Sequence, residues 1–225
     1  MKLLFLGTGA ADWKPIHAGN PEYRRNSSAL LDGELLIDPG PCVPEAAKTF
    51  GVDLSRMRYV ITTHSHADHF CPETAAALQA LGAECISFAP GETKILGRYT
   101  VEAVRANHGT ARDAVHYLID DGERRLFYGL DGAWLLYDEV AAIRQKRVDL
   151  FVLDGTVGDR PGDYRIFEHN DLAMVEEMKK TLSAYGDRFM ISHMARTLHT
   201  DHATLCARMA ASGIGVAYDG LEVSL

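Results

Sequence analysis

The segment His64-Ser-His66-Ala-Asp68-His69 restricts what this chain can fold into more than any other feature. It follows Arg58–Thr63, a β-branched run that predicts a strand. In an extended chain His64 and His66 point to the same side and can share one metal ion, whereas Asp68 and His69 lie past the bend and can face a second ion. Imidazole and carboxylate groups are ligands that suit zinc, manganese or iron. The segment therefore predicts a metal site at the end of a strand.

A loop with four ligands cannot complete two metal sites, so further ligands are expected elsewhere in the chain. His108, Asp131 and His193 each follow directly after an apolar run that predicts a strand. Strand ends that converge on one edge of the fold would bring these side chains together, because binding residues concentrate on the loops that a rigid scaffold positions. We therefore expect the three residues to join the first motif.

Hydrophobic periodicity predicts strands in the first half of the chain and alternating strands and helices in the second half. Asp32-Gly33 predicts a two-residue hairpin turn, and Asp219-Gly220 a turn within a final strand pair. Asn170 and Thr200 are expected to cap the last two helices. We predict one α/β domain over residues 1–225, with two sheets and the helices outside them. The predicted strands are Lys2–Leu6, Ser28–Leu31, Leu35–Ile37, Arg58–Thr63, Tyr99–Arg105, Val115–Asp120, Arg125–Gly129 and Val148–Leu153, and the predicted helices cover Pro72–Leu81, 136–143 and 172–182.

The charge of the chain bears on its partners. The formal net charge is −8, which argues against general affinity for nucleic acid or for acidic membranes. No apolar run approaches the roughly 20 residues that a membrane-spanning helix needs. The four cysteines are scattered, so a disulfide framework is not expected. We expect a cytoplasmic protein with a small-molecule partner, and a two-fold homodimer as the commonest oligomer.

The order and local context of these residues resemble the metallo-β-lactamase superfamily along essentially the whole chain. This resemblance implies a four-layered αββα sandwich with two metal ions at one edge of the sheets. The first ion is expected to be held by His64, His66 and His108, the second by Asp68, His69 and His193, with Asp131 bridging the two. By the same resemblance Asp38, in Leu-Leu-Ile-Asp38-Pro-Gly, hydrogen-bonds a ligand histidine, and Asp68 takes part in catalysis as well.

Three further segments resemble the phosphodiesterase branch of that superfamily. Tyr23-Arg-Arg-Asn-Ser-Ser28 is similar to a segment of RNase Z-like enzymes, and Val-Ala-Tyr-Asp-Gly-Leu-Glu is similar to the end of the phosphoribosyl cyclic phosphodiesterases. Leu153-Asp154-Gly together with Glu168-His169-Asn-Asp-Leu172 resembles the stretch that supplies a histidine to the scissile phosphate in the second of these families. The resemblance implies that His169 protonates or stabilises the leaving group. It also makes Arg24, Arg25 and Asn26 candidates for substrate binding.

Together these features predict a hydrolase in which a metal-bridging hydroxide attacks a small phosphodiester, cyclic diesters included. Two ions suit in-line attack on phosphorus, because both the attacking and the leaving oxygen are stabilised. His66 stands where the diiron oxygen-reducing branch has a glutamate, which favours zinc or manganese over iron. The stretch between His108 and Asp131 is too short for a tRNA-grasping arm.

Two other functions remain open from the sequence. The first is carbonyl hydrolysis of a lactone, thioester or β-lactam, in which His169 would be idle. The second is a non-catalytic accessory role that resembles the cofactor-biosynthesis members of the superfamily. The complete set of ligands favours an enzyme over an accessory protein.

Overall fold

Two β-sheets lie face to face in the computed structural model, which describes residues 1–225. The first sheet contains β1 (Lys2–Gly7), β2 (Ser28–Leu31), β3 (Leu35–Ile37), β4 (Tyr59–Ile61), β5 (Glu84–Ile86) and β13 (Glu222–Ser224). The second contains β6 (Thr93–Leu96), β7 (Tyr99–Arg105), β8 (Val115–Asp120), β9 (Arg125–Gly129), β10 (Leu150–Asp154), β11 (Phe189–Ser192) and β12 (Gly215–Val216).

The strand order brings several strand ends to one edge of the molecule. The first sheet has the order β13-β1-β2-β3-β4-β5, and the second has the order β12-β11-β10-β9-β8-β7-β6. β3 and β4 run parallel, as do β9, β10 and β11, so their carboxyl ends point the same way. Five helices complete the fold: α1 (Val43–Phe50), α2 (Pro72–Ala80), α3 (Tyr137–Ile143), α4 (Leu172–Leu182) and α5 (His202–Ala210).

Alternating side chains of the strands build the layers of the fold. In β9, Leu126 and Tyr128 enter the core between the two sheets, whereas Phe127 faces α3, α4 and α5. On the first sheet Leu30 and Leu36 face outward and pack with α1 and α2. The layers are therefore helix, sheet, sheet and helix, as the sequence predicts. None of the five helices is long and apolar enough to cross a membrane.

The predicted bounds of five strands agree with the structure residue for residue: Ser28–Leu31, Leu35–Ile37, Tyr99–Arg105, Val115–Asp120 and Arg125–Gly129. These strands are confirmed. Residues 43–50 form the helix α1, and residues 84–86 and 93–96 form β5 and β6, none of which was predicted.

Three local predictions are wrong. The turn between β2 and β3 has three residues, because Leu31 pairs with Leu35. The caps of α4 and α5 are Asp171 and Asp201, whose carboxylates accept hydrogen bonds from the backbone N–H of the third residue of each helix, Met174 and Thr204. A carboxylate one residue further along thus replaces each predicted cap. The last two strands do not pair with each other, because β12 joins β11 and β13 joins β1.

Candidate metal centre

The first group of convergent side chains comes from three strand ends. His64 and His66 follow β4, His108 follows β7 and Asp131 follows β9. One potential ligand atom from each of the four lies within 4.8 Å of every other. Nε2 of His64 lies 2.9 Å from Oδ2 of Asp131, and Nδ1 of His66 lies 3.2 Å from Nε2 of His108. Three imidazoles and one carboxylate therefore face a common point.

A second group shares Asp131 with the first. Nε2 of His69 lies 3.3 Å from Oδ2 of Asp131 and 3.4 Å from Oδ2 of Asp68. Nε2 of His193 lies 3.2 Å from Nε2 of His69 and 3.6 Å from Oδ2 of Asp68. The structure thus brings together all seven residues predicted as ligands, in two groups that meet at one carboxylate.

The backbone is strained where three of the strands end. Asp38, Asp131 and His193 have φ values of 63°, 60° and 63°, in the left-handed region that non-glycine residues rarely adopt. Each residue follows a buried strand, β3, β9 or β11. Strained residues of this kind cluster at functional sites, where the surrounding structure holds them in place. Asp131 and His193 belong to the convergent groups, and Asp38 contacts His69, which belongs to the second group.

The hydrogen bonds on the outer side of the histidines determine which nitrogen faces the centre. Nδ1 of His69 lies 2.8 Å from Oδ2 of Asp38, a carboxylate that can only accept, so Nδ1 carries the proton. Nδ1 of His193 lies 2.7 Å from the hydroxyl of Thr156. That hydroxyl lies within donating distance of Oδ2 of Asp154, so it can accept the proton of His193. In the neutral form of each ring, Nε2 then has a lone pair that faces the centre.

Unpaired acceptors test whether the centre fits a metal ion. Nε2 of His64 and Oδ2 of Asp68 are buried and have no hydrogen-bond partner. Buried polar groups are nearly always paired, and lone pairs that face one another repel unless a cation lies between them. Imidazole nitrogens with carboxylate oxygens are the donor set of zinc and manganese sites. The residues present therefore fit divalent metal ions.

Protonation favours the ligand form of two of the histidines, His64 and His108. At His69 and His193 the nearby carboxylates outweigh burial and raise the pKa, so a metal ion would displace a proton there. Burial lowers the pKa of His64 and of His108, so both imidazoles are neutral at pH 7 and can each offer a lone pair. Burial works in the opposite direction on Asp131, but the surrounding histidines, His193 foremost, hold the pKa of its carboxyl well below the usual value. The shared group is thus a carboxylate.

Asp154, at the end of β10, links the parts of the site that lie on different loops. It is fully buried and accepts hydrogen bonds from the backbone N–H groups of Asp131, Thr156 and Asn170. Its Oδ2 lies 3.3 Å from Nδ1 of His169. One carboxylate therefore positions the shared Asp131, the loop that supports His193, and His169.

His169 lies beside the two ligand groups. Its Nδ1 is 3.0 Å from Oδ1 of Asp131, and its Nε2 has no hydrogen bond to the protein. Burial lowers the pKa of His169, but the charge of Asp154 and the hydrogen bond to Asp131 outweigh burial and raise it to about 10. His169 lines a cavity of about 390 Å³ that opens above the centre. The side chain is thus placed to donate a proton into this cavity.

The three residues predicted for substrate binding do not reach this cavity. Arg24 is buried and donates to the hydroxyl of Thr8 and to the carbonyl of Ala217. Arg25 pairs with Glu45 and Asp219, while the amide of Asn26 donates to the carbonyl of Ala10. Their polar groups are engaged by protein partners, so the structure does not place these three predicted residues at the cavity above the centre.

Sequence reasoning missed three supporting residues. Asp154 carries the same signal as Asp131, an acidic residue directly after an apolar strand, and could have been found by it. Thr63 donates its backbone N–H and its hydroxyl to Asp38, and Thr156 contacts His193. The two threonines have no sequence signal, because a hydroxyl near a strand end is common.

Comparison with known proteins supports the fold. Residues 1–81 match the family described as Anti-Pycsar protein Apyc1. No curated protein matches the chain in sequence. A new diphosphatase from the PhnP family is 20% identical, with a TM-score of 0.73 over 100% of this chain and 97% of the other.

Two other solved structures are also similar. Zn²⁺-bound PqqB from Methylobacterium extorquens is 19% identical, with a TM-score of 0.75 over the whole of both chains. The metallo-beta-lactamase fold protein YhfI from Bacillus subtilis is 16% identical, with a TM-score of 0.76 over 99% of this chain and 98% of the other. These likenesses extend over the full chain at low identity, so they establish the fold alone.

Proposed function

We propose that this chain, which has the metallo-β-lactamase fold, is a hydrolase that requires two divalent metal ions and cleaves a small phosphodiester, cyclic diesters included. The position of Asp131 carries the proposal. Its Oδ2 lies 2.9 Å from Nε2 of His64 and 3.3 Å from Nε2 of His69, one histidine from each ligand group. A carboxylate shared in this way suits a dinuclear site, and two adjacent ions suit displacement at phosphorus.

The seven convergent residues would hold the ions. One group, His64, His66 and His108, would bind one ion, the group Asp68, His69 and His193 would bind the other, and Asp131 belongs to both groups. When bound, zinc or manganese supplies a water that is reactive at neutral pH and positive charge for the phosphoryl oxygens. Zinc is supported by the donor set, and a solved relative of the same fold is described as Zn²⁺-bound.

Asp68 and His169 move the protons of the reaction. Asp68 has two carboxylate oxygens, so while Oδ2 faces the ligand histidines the other oxygen can accept a proton from the attacking water. The water oxygen forms a bond to phosphorus while the bond to the leaving ester oxygen breaks. His169, held through Nδ1 by Asp154 and Asp131, donates from Nε2 to that leaving oxygen. A leaving alkoxide needs such a donor, and a proton from His169 meets that need in an alkyl phosphodiester.

Hydrolysis of bis(p-nitrophenyl) phosphate tests the proposal. Purified protein loaded with zinc or manganese should cleave the diester, and a chelated sample should not. His169→Ala should keep its metal content and should lose little kcat on this diester, because p-nitrophenolate leaves without a proton. On an alkyl diester the same variant should lose about 10²–10⁴-fold in kcat. His202→Ala removes a histidine that contacts Arg24 outside the cavity, and it should retain activity.

Other outcomes would overturn the proposal. If fully metallated protein cleaves a panel of lactones and thioesters and leaves the diester intact, the function is carbonyl hydrolysis. If it binds two ions and hydrolyses neither class, it is an accessory protein. Full activity of His169→Ala on an alkyl diester would remove His169 from the mechanism.

A further inference from the structure

The outer wall of the cavity carries an acidic side chain that the proposed reaction does not use. Glu168 lines the cavity together with Thr110, and it directly precedes His169. Oε2 of Glu168 accepts a hydrogen bond from the hydroxyl of Thr110 at 3.2 Å, and that hydroxyl lies 3.5 Å from Nε2 of His108. The carboxylate is thus only one hydroxyl group away from a proposed metal ligand.

No basic side chain neutralises Glu168. Its Oε1 has no hydrogen-bond partner, and none of the ion pairs of the protein includes this residue. Arg165 is the only lysine or arginine that lines the cavity, and its Nε lies 3.4 Å from Oδ1 of Asp163 instead. Glu168 therefore presents an uncompensated negative charge to whatever occupies the outer cavity.

The second acidic wall residue has a different role. Asp12 lies on the wall formed by residues 10–12 and 195–197, and its two carboxylate oxygens accept hydrogen bonds from the backbone N–H groups of Arg196 and Thr197. These bonds tie the two loops together, so Asp12 is engaged in structure. Glu168 is the acidic group with a free oxygen.

We infer that Glu168 makes the site selective for phosphodiesters over phosphomonoesters. This inference rests on the proposed function. A diester carries one negative charge, and its second ester group extends away from the reacting phosphorus. In a monoester that position holds a second charged oxygen, which Glu168 repels. A site discriminates by unfavourable contacts with the wrong ligand as well as by favourable contacts with the right one.

The predicted effect is electrostatic, so it has a signature that a structural role lacks. In Glu168→Gln the side-chain amide oxygen can still accept the hydrogen bond from the Thr110 hydroxyl, and only the negative charge is removed. Because the carboxylate is partly exposed, its field is screened by salt. In the wild type, discrimination against dianions should therefore shrink as ionic strength rises, whereas in Glu168→Gln it should be small at every ionic strength.

Binding of two simple anions tests this inference without turnover. Inorganic phosphate and dimethyl phosphate are titrated calorimetrically into metal-loaded protein at mildly alkaline pH, where inorganic phosphate is mainly the dianion. Glu168→Gln should bind phosphate about fivefold to tenfold more tightly than the wild type at low salt, and dimethyl phosphate within about twofold. The ratio of kcat/KM for p-nitrophenyl phosphate to that for bis(p-nitrophenyl) phosphate should rise by the same factor.

Two control variants separate charge from structure. Glu123→Gln makes the same change of net charge in the β8–β9 turn, at the opposite end of β9 from Asp131, and should leave both affinities unchanged. Thr110→Val breaks the hydrogen bond to Glu168 without altering charge, so the preference for the monoanion should persist. Equal changes for both anions in Glu168→Gln, or no change, would overturn the inference. A wild-type protein that binds both anions and cleaves no diester would overturn the proposed function alone.

Discussion

His69 and His193 direct their Nε2 atoms at each other across 3.2 Å, while the Nδ1 atom of each is engaged on the outer side of the site. Asp38 binds Nδ1 of His69 and Thr156 binds Nδ1 of His193. The two rings come from the β4 loop and from the end of β11, which lie in different sheets. The fold thus holds two imidazole nitrogens from different sheets close enough to share one cation.

The first prediction is that divalent ions stabilise the folded protein. Zinc or manganese should raise the Tm, and saturation at a thousandfold over Kd corresponds to about 4 kcal/mol. Elemental analysis should find two ions per chain. Asp131→Ala removes the carboxylate that both groups share, so it should bind fewer than two ions and show a smaller thermal shift. Two tightly bound ions in Asp131→Ala would contradict the shared role.

The second prediction concerns the tautomer of His69. In Asp38→Asn the new amide can retain the bond from the Thr63 N–H, but it turns its NH₂ group toward Nδ1 of His69. His69 must then move its proton to Nε2, which blocks the lone pair that faces the centre. Metal affinity should fall by about 10–100-fold.

Asp32→Asn is the matched control for this change. Asp32 also has a positive φ, 50°, but it lies in the turn between β2 and β3 and contacts Tyr99. Calorimetric titration of zinc should give the wild-type affinity for Asp32→Asn. If Asp38→Asn binds zinc as the wild type does, Asp38 does not select the tautomer.

The convergence of the seven residues could be predicted because their signals are local. His64 to His69 form one short segment, and each later ligand follows a strand that hydrophobic periodicity identifies. Parallel strands then bring their carboxyl ends to the same edge, so the position along the chain was enough to place the residues.

The residues that could not be predicted depend on distant partners. The role of Arg24 is set by Thr8 and Ala217, which lie on other segments, and that of Arg25 by Asp219. The sequence of two adjacent arginines is the same whether they bind a phosphate or a buried carboxylate, so it cannot distinguish the two roles. The pairing of β13 with β1 joins the two ends of the chain, and no local turn signal could indicate it.

The third prediction follows from the ion pair of Arg25 with Glu45. A hydrogen bond from Arg25 lowers the pKa of Glu45 from 4.5 to about 2. The folded state therefore binds this proton more weakly than the unfolded state, and the pair stabilises the fold above about pH 4.5. This contribution is lost as the pH falls toward about 2. Because Glu45 is 60% exposed, it should stay below about 1 kcal/mol.

Urea unfolding of the wild type and of Glu45→Gln across this range measures the effect. The difference between the two proteins isolates Glu45, because the histidines and aspartates of the metal centre titrate equally in both. The difference in the free energy of unfolding should be greatest near neutral pH and should decline in acid. A difference that is constant with pH would show that the ion pair does not shift the pKa of Glu45.

The last prediction concerns Gly132, which follows the shared Asp131. A Cβ atom at this position would lie 2.7 Å from Nε2 and Cε1 of His116. The His116 ring cannot swing aside, because its Nδ1 lies 2.6 Å from Oε1 of Glu139 and both side chains are buried. In Gly132→Ala the backbone must therefore move, and Asp131 moves with it. The free energy of unfolding should fall by about 1–3 kcal/mol, as it does on overpacking a core.

Gly132→Ala should also bind zinc with lower affinity. Zinc titration measures the affinity, and urea unfolding measures the free energy of unfolding. Gly19→Ala is the control, because a Cβ at Gly19 meets no atom within 4 Å. It should leave stability and zinc affinity close to the wild-type values. If Gly132→Ala lowers stability but binds two ions with unchanged affinity, the loop absorbs the clash without moving Asp131. Unchanged stability would mean that the His116 and Glu139 side chains move to make room for the new methyl group. The inference that they pack rigidly next to the loop of Asp131 would then be wrong.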